Sequence, residues 1–170
     1  MATWIKYALV IAVVAVIGFL LTPIVFTVPE TGPQPTSGQV ANFMVLGAWD
    51  ALLLGVAVAV AAFGWPSVRR AFPASKAMAV AVFVSLLFLF GSWWPHLGLH
   101  SVVGDNLNLL IAVDYGFHVP LGIASLIILR GLFTIGRERS VEAVGRADAA
   151  RAPRARAPER SRERDHRHEV

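Results

Sequence analysis

Four long apolar segments constrain the fold of this chain more than any other feature of its sequence. They cover about residues 4–28, 40–65, 77–94 and 107–133. A helix needs roughly 20 apolar residues, at about 1.5 Å each, to cross some 30 Å of hydrocarbon. In lipid the backbone groups must satisfy one another, which favours helices. The sequence therefore predicts an all-α integral membrane protein, with a four-helix transmembrane bundle over residues 1–136. The first segment is too long for a signal-peptide core, so we expect it to be retained.

The few basic residues of the bundle predict its orientation. The loop 65–76 contains Arg69, Arg70 and Lys76, whereas the loops 28–38 and 95–106 contain no lysine or arginine. Basic loops stay on the cytoplasmic side of a membrane. We therefore expect a multi-pass protein of the cell membrane, with the N- and C-termini and the loop 65–76 in the cytoplasm.

The last 34 residues, 137–170, differ sharply from the rest in composition. They carry ten arginines and seven acidic residues in an Ala/Arg/Pro/Glu-rich, low-complexity sequence. Such a segment cannot bury a core, so we predict a disordered cytoplasmic tail after a short helical continuation. Interleaved acids and the lack of aromatic residues argue against nucleic acid as a partner. We expect its two histidines, His166 and His168, to bind no metal.

Many kinds of chemistry have no support in this sequence. The chain has no cysteine, which excludes disulfides, thiolate metal sites and cysteine nucleophiles. It also lacks G-x-S-x-G, a glycine-rich phosphate loop and H-E-x-x-H. A hydrolase or a nucleotide-binding protein is therefore not indicated. Whatever chemistry the protein performs must come from the polar side chains in and beside its apolar segments.

Three of these side chains fall inside the second and fourth segments. With helix starts near residues 41 and 105, Asp50 and Asp114 each lie about 13 Å below the outer boundary. His118 is one turn beyond Asp114 on the same helix face. If the two helices pack together, the three groups form an intramembrane site able to ligate a metal or relay protons. The alternative is structural, with these groups hydrogen-bonding between helices.

Two more histidines, His96 and His100, precede the fourth segment. A proline and a glycine beside them argue against a regular helix, so we expect an outer-surface loop that also contains Asp105. Two imidazoles and a carboxylate could bind copper or zinc there. The alternative is an ordinary solvated loop. Haem is not favoured, because only His118 lies deep enough to face a second axial ligand.

Asp114 and His118 together form a D-x-x-x-H pattern on one apolar helix. The pattern resembles part of the intramembrane metal site of the copper membrane monooxygenases, the ammonia- and hydrocarbon-oxidising family. Their C-type subunits carry a further histidine about thirteen residues beyond, where this chain has Gly131. This chain is also smaller than those subunits. The resemblance therefore implies a small accessory subunit of such a complex, with copper as its metal.

From these observations we expect a small membrane subunit of a metal-dependent oxidoreductase or monooxygenase complex, packed beside larger chains. Whether it is itself an enzyme stays open. The candidate ligands are Asp114, His118, Asp50, His96 and His100, for copper or zinc. Two alternatives remain: a proton- or metal-coupled carrier using Asp50 and Asp114, and a non-catalytic assembly protein without a ligand.

Overall fold

The computed structural model describes residues 2–27, 36–103 and 106–151. These residues form α-helices and short connections, with no strand among them. In chain order the helices are α1 (Thr3–Val25), α2 (Ser37–Phe63), α3 (Trp65–Ala71), α4 (Lys76–Gly91), α5 (Trp93–Val103) and α6 (Leu107–Arg151). The described part of the chain is therefore all-α, as predicted.

Three helices, α1, α2 and α6, are long and apolar enough to cross a membrane. Together α4 and α5 meet the same criterion, although they are bent by 43° at the break between them. The described residues thus offer three candidate spans, or four when α4 and α5 form one broken span. The predicted helical character of the apolar segments is confirmed.

Two segments that we expected to be loops contain helices. The short helix α3 lies within 65–76, and α5 continues to Val103. The expectation that Pro95 prevents a regular helix around His96 was wrong. Pro95 is the third residue of α5, in the first turn, where a backbone N–H has no intrahelical partner to lose. The histidines of this segment therefore sit on a helix.

Side chains at the helix starts explain where the helices begin. Thr36 and Gln39 form a reciprocal capping box at the start of α2. The hydroxyl of Ser75 accepts from the backbone N–H of Met78, at 3.2 Å, at the start of α4. At the start of α6, Oδ1 of Asn106 accepts from the backbone N–H of Leu109, also at 3.2 Å. Each cap satisfies a donor that the first helical turn leaves free.

Close packing of α1 against α2 depends on glycine. A Cβ on Gly55 of α2 would lie 2.5 Å from the carbonyl oxygen of Ile11 in α1. The backbones can approach this closely only because that side chain is missing, as is common between membrane helices. Hydrogen bonds from Trp94 connect α5 with α1. The Nε1 of Trp94 donates to Thr22 Oγ1 at 2.9 Å and to the Gly18 carbonyl at 3.2 Å.

Most large apolar side chains point away from the helix contacts. In α1 the one buried residue is Gly18, and Trp4, Leu20 and Ile24 are each more than 60% exposed. The buried apolar residues are mainly small, such as Ala51, Ala59 and Ala79. This distribution suits a chain whose outer surface meets lipid or partner helices rather than water.

The chain divides into two compact units, residues 1–132 and 133–170. In the second unit α6 remains helical to Arg151, which is further than the short continuation that we expected. The side chains of Glu142 and Arg146 form an exposed i,i+4 ion pair, with 3.7 Å between Oε2 and the guanidinium. Such exposed pairs stabilise a helix only slightly. Residues 152–170, which hold most of the predicted disordered tail, lie outside the described residues.

Candidate functional site

Two helices bring three potential metal ligands together. His96 and His100 lie four residues apart on one face of α5, and Asp114 faces them from α6. One ligand atom from each residue lies within 4.8 Å of the other two, and all three residues are partly buried. His100 Nε2 is 3.0 Å from Asp114 Oδ1. We call this group the His96–His100–Asp114 cluster.

His118 borders the cluster on α6. Its Nδ1 is 2.9 Å from the backbone carbonyl of Asp114 and 3.7 Å from that residue's Oδ1. Because a carbonyl can only accept, Nδ1 carries the proton in this contact and Nε2 keeps a free lone pair. Metal-binding histidines are commonly oriented by such a hydrogen bond from the other ring nitrogen. The ring centroids of His118 and His96 are 5.2 Å apart.

Aromatic side chains hold the ring of His96 in place. Phe117, which is buried, stacks on this imidazole with 3.8 Å between centroids and 13° between planes. Trp93 meets Phe117 edge-on at 5.0 Å. The ring of His100 contacts that of His96 at 4.5 Å, nearly at a right angle. A ligand held on rigid elements in this way is oriented before an ion binds.

One atom of the cluster lacks a partner. His96 Nδ1 is buried, and no described residue hydrogen-bonds to it. A buried polar atom left unsatisfied costs about 1–3 kcal/mol, so native proteins usually provide a partner, a water or an ion. The ring of His96 therefore presents an unmet lone pair or proton next to an imidazole and a carboxylate.

The spacing of the three donors is close to what one ion requires. Ligand atoms bound at about 2.1 Å in a tetrahedral arrangement are roughly 3.4 Å from one another. The pair His100–Asp114 is already within this separation at 3.0 Å. Small side-chain movements of His96 would complete the set, because every donor pair in the cluster lies within 4.8 Å. Two imidazoles and one carboxylate leave a fourth position for water, a substrate or His118.

The sites predicted from the sequence grouped these residues differently from the structure. We expected Asp114 and His118 to form a site with Asp50, and His96 and His100 to form another with Asp105. In the structure the two histidines of α5 meet Asp114 and His118 instead. Asp105 lies outside the described residues. The contacts of His96 with Phe117 and Trp93 were not predicted; the helical spacing of the two histidines was the available signal, had Pro95 not been taken to break the helix.

Asp50 occupies a different environment in the same unit. It lies in α2, is only 6% exposed, and lines a cavity of about 770 Å³. Residues of α1, α2 and α5 form the walls. No described residue hydrogen-bonds or ion-pairs with the Asp50 side chain. Its membership of the metal site stays a prediction from the sequence.

The helix α5 takes part in both environments through two different sets of residues. Trp94, Leu97, Gly98 and Ser101 line the cavity, whereas Trp93, His96 and His100 contact α6 or one another. Scans against protein-family models and searches of curated proteins and of solved structures gave no match. Function is therefore inferred from the geometry of these two sites.

Proposed function

We propose that this protein is a small integral membrane subunit that holds one metal ion through His96, His100 and Asp114, within a metal-dependent oxidoreductase complex. The observation that carries this proposal is that one ligand atom from each of the three residues lies within 4.8 Å of the other two, while Nδ1 of His96 is buried without a partner among the described residues. A site that brings two imidazoles to a carboxylate, with one buried nitrogen unsatisfied, gains more from an ion than from remaining empty.

The donor set narrows the choice of metal. Two imidazoles and a carboxylate suit zinc, copper(II) and iron(II), and they disfavour magnesium and calcium, which prefer oxygen ligands. The resemblance of Asp114 and His118 to the copper membrane monooxygenases favours copper. His118 is the fourth ligand in this proposal, because its Nε2 is free and its ring is already next to that of His96.

The exposed surfaces support a subunit role inside a membrane. The outward faces of α1 and α6 carry large apolar side chains, including Leu20, Ile24, Leu126 and Phe133. Lipid or the helices of a larger partner can cover them. With Arg69 and Arg70 of α3 on the cytoplasmic side, both termini are cytoplasmic and the His96–His100–Asp114 cluster lies near the outer surface.

Metal analysis of the full chain in detergent tests the metal centre. The purified protein is stripped with a chelator, loaded separately with copper(II), zinc(II) or iron(II), desalted and analysed by elemental mass spectrometry. We expect one ion per chain for the wild type and a loss of that ion in His96→Ala/His100→Ala. The matched control is His166→Ala/His168→Ala, which removes two histidines from the tail and should keep the ion. Equal metal content in the two double variants would refute the centre.

Affinity purification from native membranes in a mild detergent tests the subunit role. We expect a larger membrane protein with a redox centre to co-purify in a fixed ratio. Recovery of the chain alone, with metal uptake into vesicles that Asp114→Asn abolishes, would replace the proposal with the carrier alternative. A co-purifying partner together with a metal-free wild type would leave the assembly alternative.

A further inference from the structure

The cavity beside Asp50 has the size and the walls of a small-molecule site. Its volume of about 770 Å³ lies within the roughly 300–1,000 Å³ range of ligand pockets. Its lining is mainly apolar and includes the aromatic side chains of Phe19, Phe26, Phe43 and Trp94. The rings of Phe26 and Trp94 pack edge to face in this wall, with 5.0 Å between their centroids.

Asp50 is the one acidic residue in this lining, and it is more than nine-tenths buried. None of the described residues supplies it with a cation or a hydrogen-bond donor. Other polar groups of the lining are engaged: Trp94 Nε1 donates to Thr22 Oγ1, and Ser101 Oγ donates to the Leu97 carbonyl at 3.3 Å. A carboxylate in such apolar surroundings is costly, and a cation bound in the cavity would offset part of that cost.

We propose that this cavity binds an apolar organic cation, with Asp50 as its counter-ion. The positive charge of such a molecule pairs with the carboxylate of Asp50, and its apolar body fills the volume between α1, α2 and α5. Aromatic faces add a favourable cation–π contribution wherever the charge lies over a ring. Neutral lipids would fill the same volume without satisfying the carboxylate, and anions would be repelled by it.

This proposal is independent of the metal centre. The two sites share no residue of α5: residues 94, 97, 98 and 101 line the cavity, whereas residues 93, 96 and 100 contact α6 or one another. A small inorganic ion is a poor occupant of the cavity, because Asp50 provides a single carboxylate and the remaining lining offers few free oxygen or nitrogen ligands.

Equilibrium dialysis with radiolabelled tetraphenylphosphonium tests the proposal on the full chain in detergent. The matched probe is tetraphenylborate, which has nearly the same shape and the opposite charge. Protein-free micelles correct for partitioning of each probe into detergent. We expect saturable binding of tetraphenylphosphonium, one per chain, and no saturable binding of tetraphenylborate. Equal binding of the two ions, or no saturable binding of either, would overturn the proposal.

Two variants assign the binding to this cavity. Asp50→Asn keeps the shape of the side chain and removes its charge, so tetraphenylphosphonium should bind about tenfold more weakly or worse. Gly47→Leu keeps Asp50 and places an apolar side chain in the cavity one helical turn from it, because a Cβ there meets only the Phe19 ring at 3.9 Å. It should weaken binding while circular dichroism shows a folded protein. Wild-type affinity in either variant would overturn the assignment.

The control for a general charge effect is Glu142→Gln. Glu142 is exposed and is not part of the cavity lining, so this variant changes the net charge as Asp50→Asn does while leaving the lining residues unchanged. Its affinity for tetraphenylphosphonium should equal that of the wild type. A decrease matching that of Asp50→Asn would mean that the probe responds to overall charge, and would overturn the proposal.

Discussion

Replacing Gly55 with alanine should weaken the contact between α1 and α2 by a predictable amount. The new Cβ would be 2.5 Å from the Ile11 carbonyl oxygen and 3.1 Å from the Ile11 Cα. Ordinary contacts of this kind begin at 3.4 Å, so α1 must retreat by 3.4 − 2.5 = 0.9 Å. The obstacle is backbone rather than a flexible side chain, so a rotamer change cannot relieve the overlap.

Two effects of opposite sign set the free energy of unfolding. Overpacking of this type costs about 1–3 kcal/mol. Alanine is a better helix former than glycine by about 1 kcal/mol, which offsets part of the loss. We therefore expect Gly55→Ala to lower the free energy of unfolding by up to about 2 kcal/mol. Because α1 also forms one wall of the cavity, its retreat should weaken the binding of tetraphenylphosphonium as well.

The matched control for this variant is Gly122→Ala in α6. A Cβ on Gly122 meets nothing within 4 Å, so only the helix propensity changes. Unfolding in mixed micelles, by titration with a denaturing detergent and followed by circular dichroism, measures both variants. We expect Gly122→Ala to be as stable as the wild type or more stable. If Gly55→Ala proves as stable as Gly122→Ala, the close approach of α1 and α2 is not present in the protein.

Three further predictions concern residues that line the cavity. Trp94→Phe removes the donor to Thr22 Oγ1, and its double-mutant cycle with Thr22→Val should give a coupling energy of about 0.6 kcal/mol. Additive losses would mean that the hydrogen bond does not form. Gly98→Ala places a methyl group against the ring of Phe26 and should lower the unfolding midpoint by more than Gly122→Ala does. An unchanged midpoint would show that Phe26 packs elsewhere. Asp50→Asn should retain one metal ion per chain, because Asp50 lies in the cavity and not in the His96–His100–Asp114 cluster; loss of the ion would instead support the site predicted from the sequence.

The helices could be predicted because they depend on local composition. Long apolar runs leave the backbone no alternative to internal hydrogen bonds, so the positions of α1, α2, α4 and α6 follow from the sequence. The α5 helix could not be predicted in this way. Pro95 and Gly98 are both unfavourable inside a helix, but Pro95 falls in the first turn and Gly98 accommodates the ring of Phe26, the residue that follows α1. Contacts between residues this far apart in the chain cannot be read from the local amino-acid sequence.

The candidate site was predictable in its residues and not in their grouping. The restriction of His96, His100 and His118 to one region of the sequence identified the histidines that the structure brings close together. Counting residues from the helix starts gave Asp50 and Asp114 the same depth in the membrane. Depth alone does not say which direction each side chain faces. Rotation of each helix about its axis decides which face meets which neighbour, and it places Asp50 at the cavity. The pairing of α5 with α6 depends on aromatic packing around Phe117, which spacing alone does not reveal.

The most direct test of the metal centre is X-ray absorption spectroscopy on the loaded full chain. With copper or zinc bound, the fine structure should contain the multiple scattering of at least two imidazoles together with one or two oxygen ligands. The His166→Ala/His168→Ala variant should give the same spectrum, whereas His96→Ala/His100→Ala should bind too little metal to measure. A first shell without imidazole, or a spectrum that changes only when the tail histidines are removed, would contradict the assignment of the ion to His96, His100 and Asp114.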